Sequence, residues 1–250
     1  MMCLIGIALD EHPDFPFMLW SNRDEFYERP TTEIHLQKAE KDMIAGKDLR
    51  QGGTWLGITP DGFFAALTNV RPMPEMNGAR SRGELIPSYI FGRNSEESII
   101  ANKHLYNGFN FLYGSLTNGV GYISNQHHKR QTIDSGIHGI SNGDLNEPWP
   151  KVNYIKEKMR ESAVIPGNDL LDFAFSALAD TKRADKSQLP DTGVGEEMEK
   201  ILSSAFIKSS TYGTRCSTVL LLDRFGYVTF SERSYVPSLQ TITYHFPIIK

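Results

Sequence analysis

Cys3, near the start of the chain, is followed by an apolar run that a polar segment interrupts at residues 21–25 (Ser-Asn-Arg-Asp-Glu). If Cys3 becomes the first residue of the mature chain, its thiol nucleophile and its own α-amino base lie on one residue. An α-amine titrates near ~7.7–8.0 and a thiol near ~8.5, so the amine is suited to take the thiol proton at neutral pH. We expect Arg23 to favour the thiolate and Asp24 to orient the ammonium group.

Each of these residues also has a structural interpretation. A cysteine beside residues 4–9 (Leu-Ile-Gly-Ile-Ala-Leu) is typical of a small apolar side chain in a buried strand. The segment 22–25 is equally typical of a solvated turn whose ion pairs contribute little to stability. The cluster therefore needs support from other parts of the chain.

A second polar segment supplies a further candidate. Residues 138–144 (His-Gly-Ile-Ser-Asn-Gly-Asp) lead into residues 148–152 (Pro-Trp-Pro-Lys-Val), which joins a polar turn to the start of a helix. This arrangement presents Asn142 as a candidate site residue, and His138 either as a side chain that lines the pocket or as a hydrogen-bonded structural histidine.

With these segments the chain resembles the NRDE family, also called the transport and Golgi organisation protein 2 family, over essentially its whole length. The resemblance rests on an ordered series of motifs rather than on one tetrapeptide. The motifs are Cys3, residues 21–30 (SNRDEFYERP), 52–57 (GGTWLG), 66–71 (ALTNVR), 81–85 (SRGEL), 138–144 (HGISNGD) and 213–218 (GTRCST).

The resemblance implies an α+β fold of the N-terminal nucleophile hydrolase type. That fold is a four-layer αββα sandwich, with two stacked antiparallel sheets flanked by helices. It also implies similarity to cysteine hydrolases and acyltransferases that act on linear amides, such as penicillin V acylase and bile salt hydrolase. By motif, the catalytic roles go to Cys3, Arg23, Asp24 and Asn142. Substrate-binding roles go to Asn22, Asn69, Arg215 and His138, of which Asn69 is also a weaker oxyanion candidate.

The start of the chain departs from the family pattern, which begins Met-Cys, whereas this chain begins Met1-Met2-Cys3. Translation from Met2 is expected to expose Cys3 after methionine removal. Translation from Met1 leaves Met2 in place, because its bulk blocks ordinary methionine removal.

Composition restricts the classes of function. The chain has 250 residues without linkers or repeats, which predicts a single domain over residues 1–250. Its 26 basic and 30 acidic residues, a net charge of −4, argue against nucleic acid as a partner. No apolar run is long enough for a membrane segment and no signal peptide is evident, so we expect a cytoplasmic protein. Two cysteines without a signal peptide favour free thiols.

The pattern of apolar and turn residues predicts an antiparallel β-rich core with helices between the hairpins. In the first hairpin, antiparallel pairing of residues 3–9 with 17–21 brings Cys3 close to residues 22–24. Three further hairpins are predicted at residues 54–69, 110–124 and 217–232. Helices are predicted at residues 84–91, 96–105, 152–160, 170–178 and 196–206.

Two readings of function follow, besides a third in which the chain is a folded relic whose polar cluster only ties the ends of the sheet together. The first is an enzyme that hydrolyses or transfers the acyl group of a linear amide of a small molecule, with no required cofactor and no metal. The second is a non-catalytic protein that uses the same pocket to handle haem or a lipid in trafficking. For haem, Cys3 or a histidine is the expected ligand, and His127-His128 is one candidate. Neither the substrate nor the oligomeric state follows from the sequence.

Overall fold

A computed structural model describes residues 2–71, 76–126 and 129–249, which divide into two compact units. The first unit consists of the chain up to Glu28 together with Ser135–Phe246. The second unit consists of Arg29–Asp134 together with the residues from Pro247 onward. The assignment of residues 1–250 to one domain stays a prediction.

A six-stranded sheet forms the centre of the first unit. Its strand order is β10-β1-β2-β11-β12-β13, and the pairings of β10, β1, β2, β11 and β12 are antiparallel. The strands are β1 (Met2–Leu9), β2 (Phe17–Phe26), β10 (Gly136–Ile140), β11 (Tyr212–Leu222), β12 (Tyr227–Ser234) and β13 (Gln240–Pro247). Because β2 lies between β1 and β11, it pairs with a neighbour along both edges.

Helices cover one face of this sheet. They are α3 (Pro150–Glu161) and α4 (Gly167–Leu178), and a further helix, α5 (Glu196–Leu202), follows them along the chain. Helix α3 packs on β1 and β10, and α4 packs on β2 and β11. Apolar side chains from both helices meet alternate residues of the strands, among them Leu4, Trp20 and Val219, in one buried core. The period-two pattern of the strands and the helical spacing of α3 and α4 produce this packing.

The second unit contains a seven-stranded antiparallel sheet of order β3-β4-β5-β6-β7-β8-β9. Its strands are β3 (Thr31–Gln37), β4 (Met43–Asp48), β5 (Leu56–Ile58), β6 (Phe63–Asn69), β7 (Phe109–Ser115), β8 (Gly119–Ser124) and β9 (Lys129–Ile133). Helix α1 (Leu85–Ile90) packs on β5 and β6, and α2 (Glu96–Ala101) follows it. Each unit is thus a sheet with helices, and the predicted α+β class with two antiparallel sheets flanked by helices is confirmed.

The four predicted hairpins and the five predicted helices are present, although α2 ends at Ala101 rather than at residue 105 and α5 at Leu202 rather than at residue 206. Five strands were missed, namely β3, β4, β9, β10 and β13. Four of them, β3, β9, β10 and β13, are the edge strands of the two sheets. An edge strand has one neighbour and tolerates exposed polar residues, so its apolar pattern is weak.

Two sequence expectations concern a membrane-spanning helix and the haem ligands. Within the described ranges, no helix combines the length and the apolar character needed to cross a bilayer. The candidate haem ligands His127 and His128 lie outside the residues that the structure describes.

Candidate active site

Strands β1 and β2 form the predicted hairpin, and its register pairs Cys3 with Arg23 and Met2 with Asp24. Strand β2 continues to Phe26, so the polar segment lies inside a strand rather than in a turn. Arg23 and Asp24 are buried, at 2% and 0% exposure. The solvated-turn interpretation is therefore wrong, and these charges are desolvated groups that need a physical reason to be there.

A row of polar side chains crosses the sheet at this level. On one side of Cys3–Arg23, strand β11 places Cys216 opposite Arg23. On the other side, β10 pairs Ile140 with Ile5 and ends there, and the hydroxyl of the next residue, Ser141, donates to the Cys3 carbonyl over 3.0 Å. Asn142 follows Ser141 and is fully buried. Directly opposed residues share a face, so Cys3, Arg23 and Cys216 form one row, with Asn142 in the segment beside it.

Strand alternation separates Arg23 from Asp24. Leu4 and Trp20 pack against the helices, so the even-numbered residues of β1 and β2 face α3 and α4. Asp24 therefore points toward the helices, whereas Cys3 and Arg23 point to the other face. The two predicted partners of Cys3 thus act on it from opposite faces of the sheet.

Burial controls the protonation of the Cys3 thiol. Desolvation, followed by the charge of Asp24, raises the pKa of Cys3 to about 11. Arg23 and a hydrogen bond from the Asp24 backbone N–H lower this pKa but do not compensate. Arg23 acts in the predicted direction, yet at neutral pH the thiol of this closed site is protonated, and it needs a base to react.

The Asp24 carboxyl is likewise fully buried. One oxygen, Oδ1, accepts a hydrogen bond of 2.6 Å from the Thr214 hydroxyl. Among the residues that the structure describes, none donates to the other oxygen, Oδ2. Desolvation raises the pKa of Asp24 to about 6, while the positive charge of Lys151 is the largest effect that lowers it. At neutral pH Asp24 is thus a carboxylate with a free acceptor beside the start of β1.

A β-bulge determines the position of Arg215. The β2–β11 register shifts between Thr214 and Cys216, which leaves Arg215 as the extra residue. A bulge redirects the side chain of its extra residue, and Arg215 Nη1 donates to the carbonyls of Phe26 and Tyr27. Desolvation and the nearby Arg23 lower the pKa of Arg215. Arg215 therefore secures the end of β2, and a role in binding a substrate anion stays a prediction.

Asn22 has a structural role instead of the predicted substrate contact. Its Nδ2 donates to the carbonyls of Leu178 and Ala205, at 2.8 and 2.7 Å, and its Oδ1 accepts from Ser217. Asn22 is fully buried and faces the helices. Its amide joins β2 to the end of α4 and to β11, which leaves no free donor for a substrate.

His138 lies in the same sheet as Cys3, whereas Asn69 belongs to the second unit. His138 lies opposite Ile7 in the β1–β10 pairing, four residues along the strand from the level of Cys3, or about 13 Å at the usual rise. Its Nδ1 is 3.0 Å from Nδ2 of Asn146, in the turn that leads to α3, and its place in a substrate pocket stays a prediction. Asn69 is buried at the end of β6, opposite Phe109, and belongs to the seven-stranded sheet.

The second cysteine of the row is also a free thiol. Cys3 and Cys216 are both buried and unbridged, in agreement with the prediction of free thiols. Arg23 lies between them, so the two thiols are two strands apart, or about 10 Å between backbones. Burial and Glu232 raise the pKa of Cys216 well above its usual value, so this thiol is protonated at neutral pH.

Sequence reasoning missed Lys151 and Thr214 as partners of Asp24. Lys151 lies four and eight residues before Ile155 and Met159, on the apolar face of α3. A lysine on the apolar face of a helix indicates a buried charge, and this pattern could have identified Lys151 from the sequence. Thr214 carried none, because its contact with Asp24 joins residues 190 positions apart.

Within the described ranges, no three or more His, Cys, Asp or Glu side chains group as metal ligands. The site consists instead of the buried Cys3 thiol near the Asn142 amide and the Arg23 guanidinium group, with the Asp24 carboxylate on the other face of the sheet. The fold and the site together define an α+β protein whose first strand carries a buried thiol.

Comparison with known proteins identifies the family. The model of the Transport and Golgi organisation 2 family matches residues 2–237, and the chain belongs to this family. The chain is 34% identical over 274 residues to the Transport and Golgi organization protein 2 homolog of Bos taurus, covering 98% of this chain and 99% of that protein. The homolog of Homo sapiens is 32% identical over 279 residues, with 99% of each chain covered. The Drosophila melanogaster protein is 28% identical over 262 residues, covering 93% of this chain and 92% of that protein.

Two solved structures resemble the chain more distantly. A variant of conjugated bile acid hydrolase from Clostridium perfringens has 9% identity and a TM-score of 0.48, covering 98% of this chain and 97% of that one. Penicillin V acylase from Agrobacterium tumefaciens has 12% identity and a TM-score of 0.46, covering 97% of this chain and 85% of that one.

Proposed function

We propose that this chain is a cysteine hydrolase or acyltransferase that cleaves the C–N bond of a linear amide in a small molecule, with Cys3 as its N-terminal nucleophile. The observation that carries this proposal is the position of Asp24. Its free carboxylate oxygen lies behind the strand pair, opposite Met2, where cleavage of the Met2–Cys3 bond creates an α-amine. A buried carboxylate at that point orients the amine and stabilises its protonated form.

The reaction then follows from the row of side chains. The α-amine of Cys3 takes the thiol proton, and the sulfur attacks the amide carbonyl carbon. Asn142, in the segment beside Cys3, donates from Nδ2 to the oxygen that becomes negatively charged. Arg23 stabilises the thiolate from the neighbouring strand. The ammonium group returns the proton to the leaving amine as the C–N bond breaks, and water or a second nucleophile then cleaves the thioester at Cys3.

Turnover by protein with a defined first residue tests the proposal. The chain is made behind a removable leader so that Cys3 is its first residue, and it is compared with a chain that retains Met2. The substrates are N-acyl p-nitroanilides of increasing acyl length. We expect release of p-nitroaniline from the Cys3-first chain, and loss of that release in Cys3→Ala.

Two outcomes decide between the parts of the proposal. Equal turnover by the chain that retains Met2 would exclude the α-amine as the base. Absence of release and of any thioester at Cys3, for every acyl length, would count against catalysis on linear amides. Intact mass of each sample establishes its first residue.

We infer as a second candidate a protein that handles haem or a lipid without catalysis, and the relatives' names, which refer to transport and Golgi organization, support it. In the lipid form of this candidate Cys3→Ala retains binding, whereas in the haem form loss of binding in Cys3→Ala would identify Cys3 as the iron ligand. A haem titration that leaves the Soret band unchanged for wild type, Cys3→Ala and His138→Ala contradicts the haem form of this candidate.

A further inference from the structure

Lys151 is a buried lysine on the face of α3 that packs on the sheet. It lies in the first turn of the helix, and Ile155 and Met159 follow it at one and two helical turns. Those two side chains contact the position of Gly6 in β1, which shows that this face of α3 is turned toward the strands. Lys151 is 2% exposed, so its charge is desolvated.

Asp24 faces the same side of the sheet. The groups that act on its carboxyl are the Lys151 ammonium from α3, the neutral Thr214 hydroxyl from β11, the α-amino group of the chain and Arg23 from its own strand, and its charge in turn acts on the Cys3 thiol of β1. Arg23 points to the opposite face. Lys151 lies on the same side of the sheet as Asp24, and of the positive charges that lower the pKa of Asp24 it has the largest effect, ahead of the chain's α-amino group and Arg23.

Other acids lie near Lys151 but are less suited to be its partner. Lys151 lines a pocket of about 410 Å³ with Glu157, Asp180 and Asp185. Glu157 and Asp185 are exposed, and Asp180 Oδ1 already accepts from the Lys182 backbone. Solvent screens those charges, whereas a fully buried carboxylate interacts with Lys151 through protein of low dielectric constant.

A buried lysine needs an explanation beyond stability. Replacement of a buried ion pair by apolar side chains of similar size is often neutral or stabilising. Lys151 lies in line with Ile155 and Met159, where methionine has nearly the same shape. An ammonium group at this position therefore indicates a function for its charge.

We propose that Lys151 is a positioning residue of the Cys3 site, which keeps the Asp24 carboxylate ionised and oriented toward the start of β1 from the helix side of the sheet. This inference rests on the proposed function for its purpose, since the ionised carboxylate is the group that orients the α-amine of Cys3. The electrostatic part can be measured without any substrate.

Titration of Asp24 in the full chain tests the electrostatic part. The protein carries ¹³C in its aspartate carboxyl groups, Asp24→Asn identifies the signal, and the midpoint is followed by NMR. Lys151→Met is expected to raise the Asp24 midpoint by about one pH unit or more, because it removes the opposite charge. Lys151→Arg, which keeps the charge, is expected to restore most of the difference.

Lys156→Met is the matched control. Lys156 is on the same helix and donates to Asn146 Oδ1 at 2.8 Å, away from Asp24. This variant is expected to leave the Asp24 midpoint unchanged. An unchanged midpoint in folded Lys151→Met, or an equal shift in Lys156→Met, overturns the inference. If Lys151→Met does not fold, Lys151→Gln provides the same neutral comparison.

Kinetics on the Cys3-first chain separate this inference from the proposed function. If both hold, Lys151→Met moves the acid limb of kcat for p-nitroanilide release to higher pH, with little change in KM. A shifted Asp24 midpoint without turnover in any variant supports the Lys151–Asp24 pairing and refutes the proposed function. Turnover that depends on Cys3, with an Asp24 midpoint insensitive to Lys151, refutes the pairing alone.

Discussion

Asp24 and Cys3 influence each other at the scale of single residues. The charge of Asp24 raises the pKa of the Cys3 thiol, while the backbone N–H of the same residue donates to that sulfur and lowers it. Arg23, on the other face, lowers it as well. The resting site therefore holds an ionised carboxylate and a neutral thiol, which is the state from which an internal base can take the thiol proton.

Substitution of the two charged neighbours is expected to move the Cys3 titration in opposite directions. Asp24→Asn should lower the pKa of Cys3, because it removes a negative charge, and Arg23→Met should raise it, because it removes a positive charge. Each change is about one unit for charges at this range. The measurement is the ¹³Cβ shift of Cys3 against pH in a Cys216→Ala background. Movement in the same direction in both variants contradicts this account of the site.

Asn22 shows that a polar residue beside the nucleophile can be purely structural. Its amide is used by two carbonyls and a hydroxyl from three segments of the chain. A buried group that loses its hydrogen-bond partner destabilises the fold more than the bond itself contributes.

We expect Asn22→Ala to lower the free energy of unfolding by about 3 kcal/mol, since it leaves three buried groups without this partner. Urea denaturation measures the loss. Asn153→Ala is the control, because Asn153 is exposed on α3 and surface changes of this kind stay within ~0.5 kcal/mol. An Asn22→Ala protein of normal stability but altered Cys3 titration would instead place Asn22 in the site.

At the scale of elements, close contact between α3 and the first strands sets the position of Lys151. Gly6 and Gly139 are paired across β1 and β10, and neither has a side chain between the sheet and the helix. A Cβ atom at Gly6 would lie 2.8 Å from Met159 Sδ and 2.9 Å from Ile155 Cγ1. At Gly139 it would lie 2.9 Å from Val152 Cγ1. The helix can approach this closely only because both positions are glycine.

Gly6→Ala is expected to push α3 away from the sheet. The Met159 side chain can move aside, but the branched Ile155 cannot do so without a shift of the helix, and overpacking of this kind costs about 1–3 kcal/mol. Lys151 moves with the helix, so the titration midpoint of Asp24 should rise. Thermal unfolding and the Asp24 carboxyl signal measure the two effects. A destabilised protein with an unchanged Asp24 midpoint indicates that the first turn of α3 stays in place.

At the scale of the whole molecule, the site reduces stability at neutral pH. The pKa of Asp24 is raised from 3.8 to about 6, so between these values the folded chain binds more protons than the unfolded chain. Stability then falls as pH rises through this window, and a shift of roughly two units corresponds to about 3 kcal/mol. Such a cost is typical of groups retained for function.

Asp24→Asn should remove this pH dependence. Because asparagine does not titrate, the stability of the variant relative to wild type should rise by up to about 3 kcal/mol between pH 4 and pH 7. Urea unfolding at several pH values in this range measures the change. Parallel curves for the two proteins would falsify the raised pKa of Asp24.

The pairing of Cys3 with the polar segment of β2 was predictable from local patterns. Period-two apolar residues and a turn at residues 10–14 determine the first hairpin, and its register brings Cys3 to Arg23. The weak edge strands were missed because they bury little apolar surface. Adjacent side chains in a strand point to opposite faces, so Arg23 and Asp24 are separated in this way. The sequence did not predict this separation, because the segment was also consistent with a turn.

The sequence by itself determined the α+β class, the family and the meeting of Cys3 with the polar segment of β2, because these depend on short-range pairing and on recognisable motifs. Only the tertiary structure decided which charges share the helix side of the sheet. The contacts of Asp24 with Thr214 and of Asn22 with Leu178, Ala205 and Ser217 join distant segments. Such contacts form when helices and strands pack, so they depend on the whole fold rather than on any local pattern.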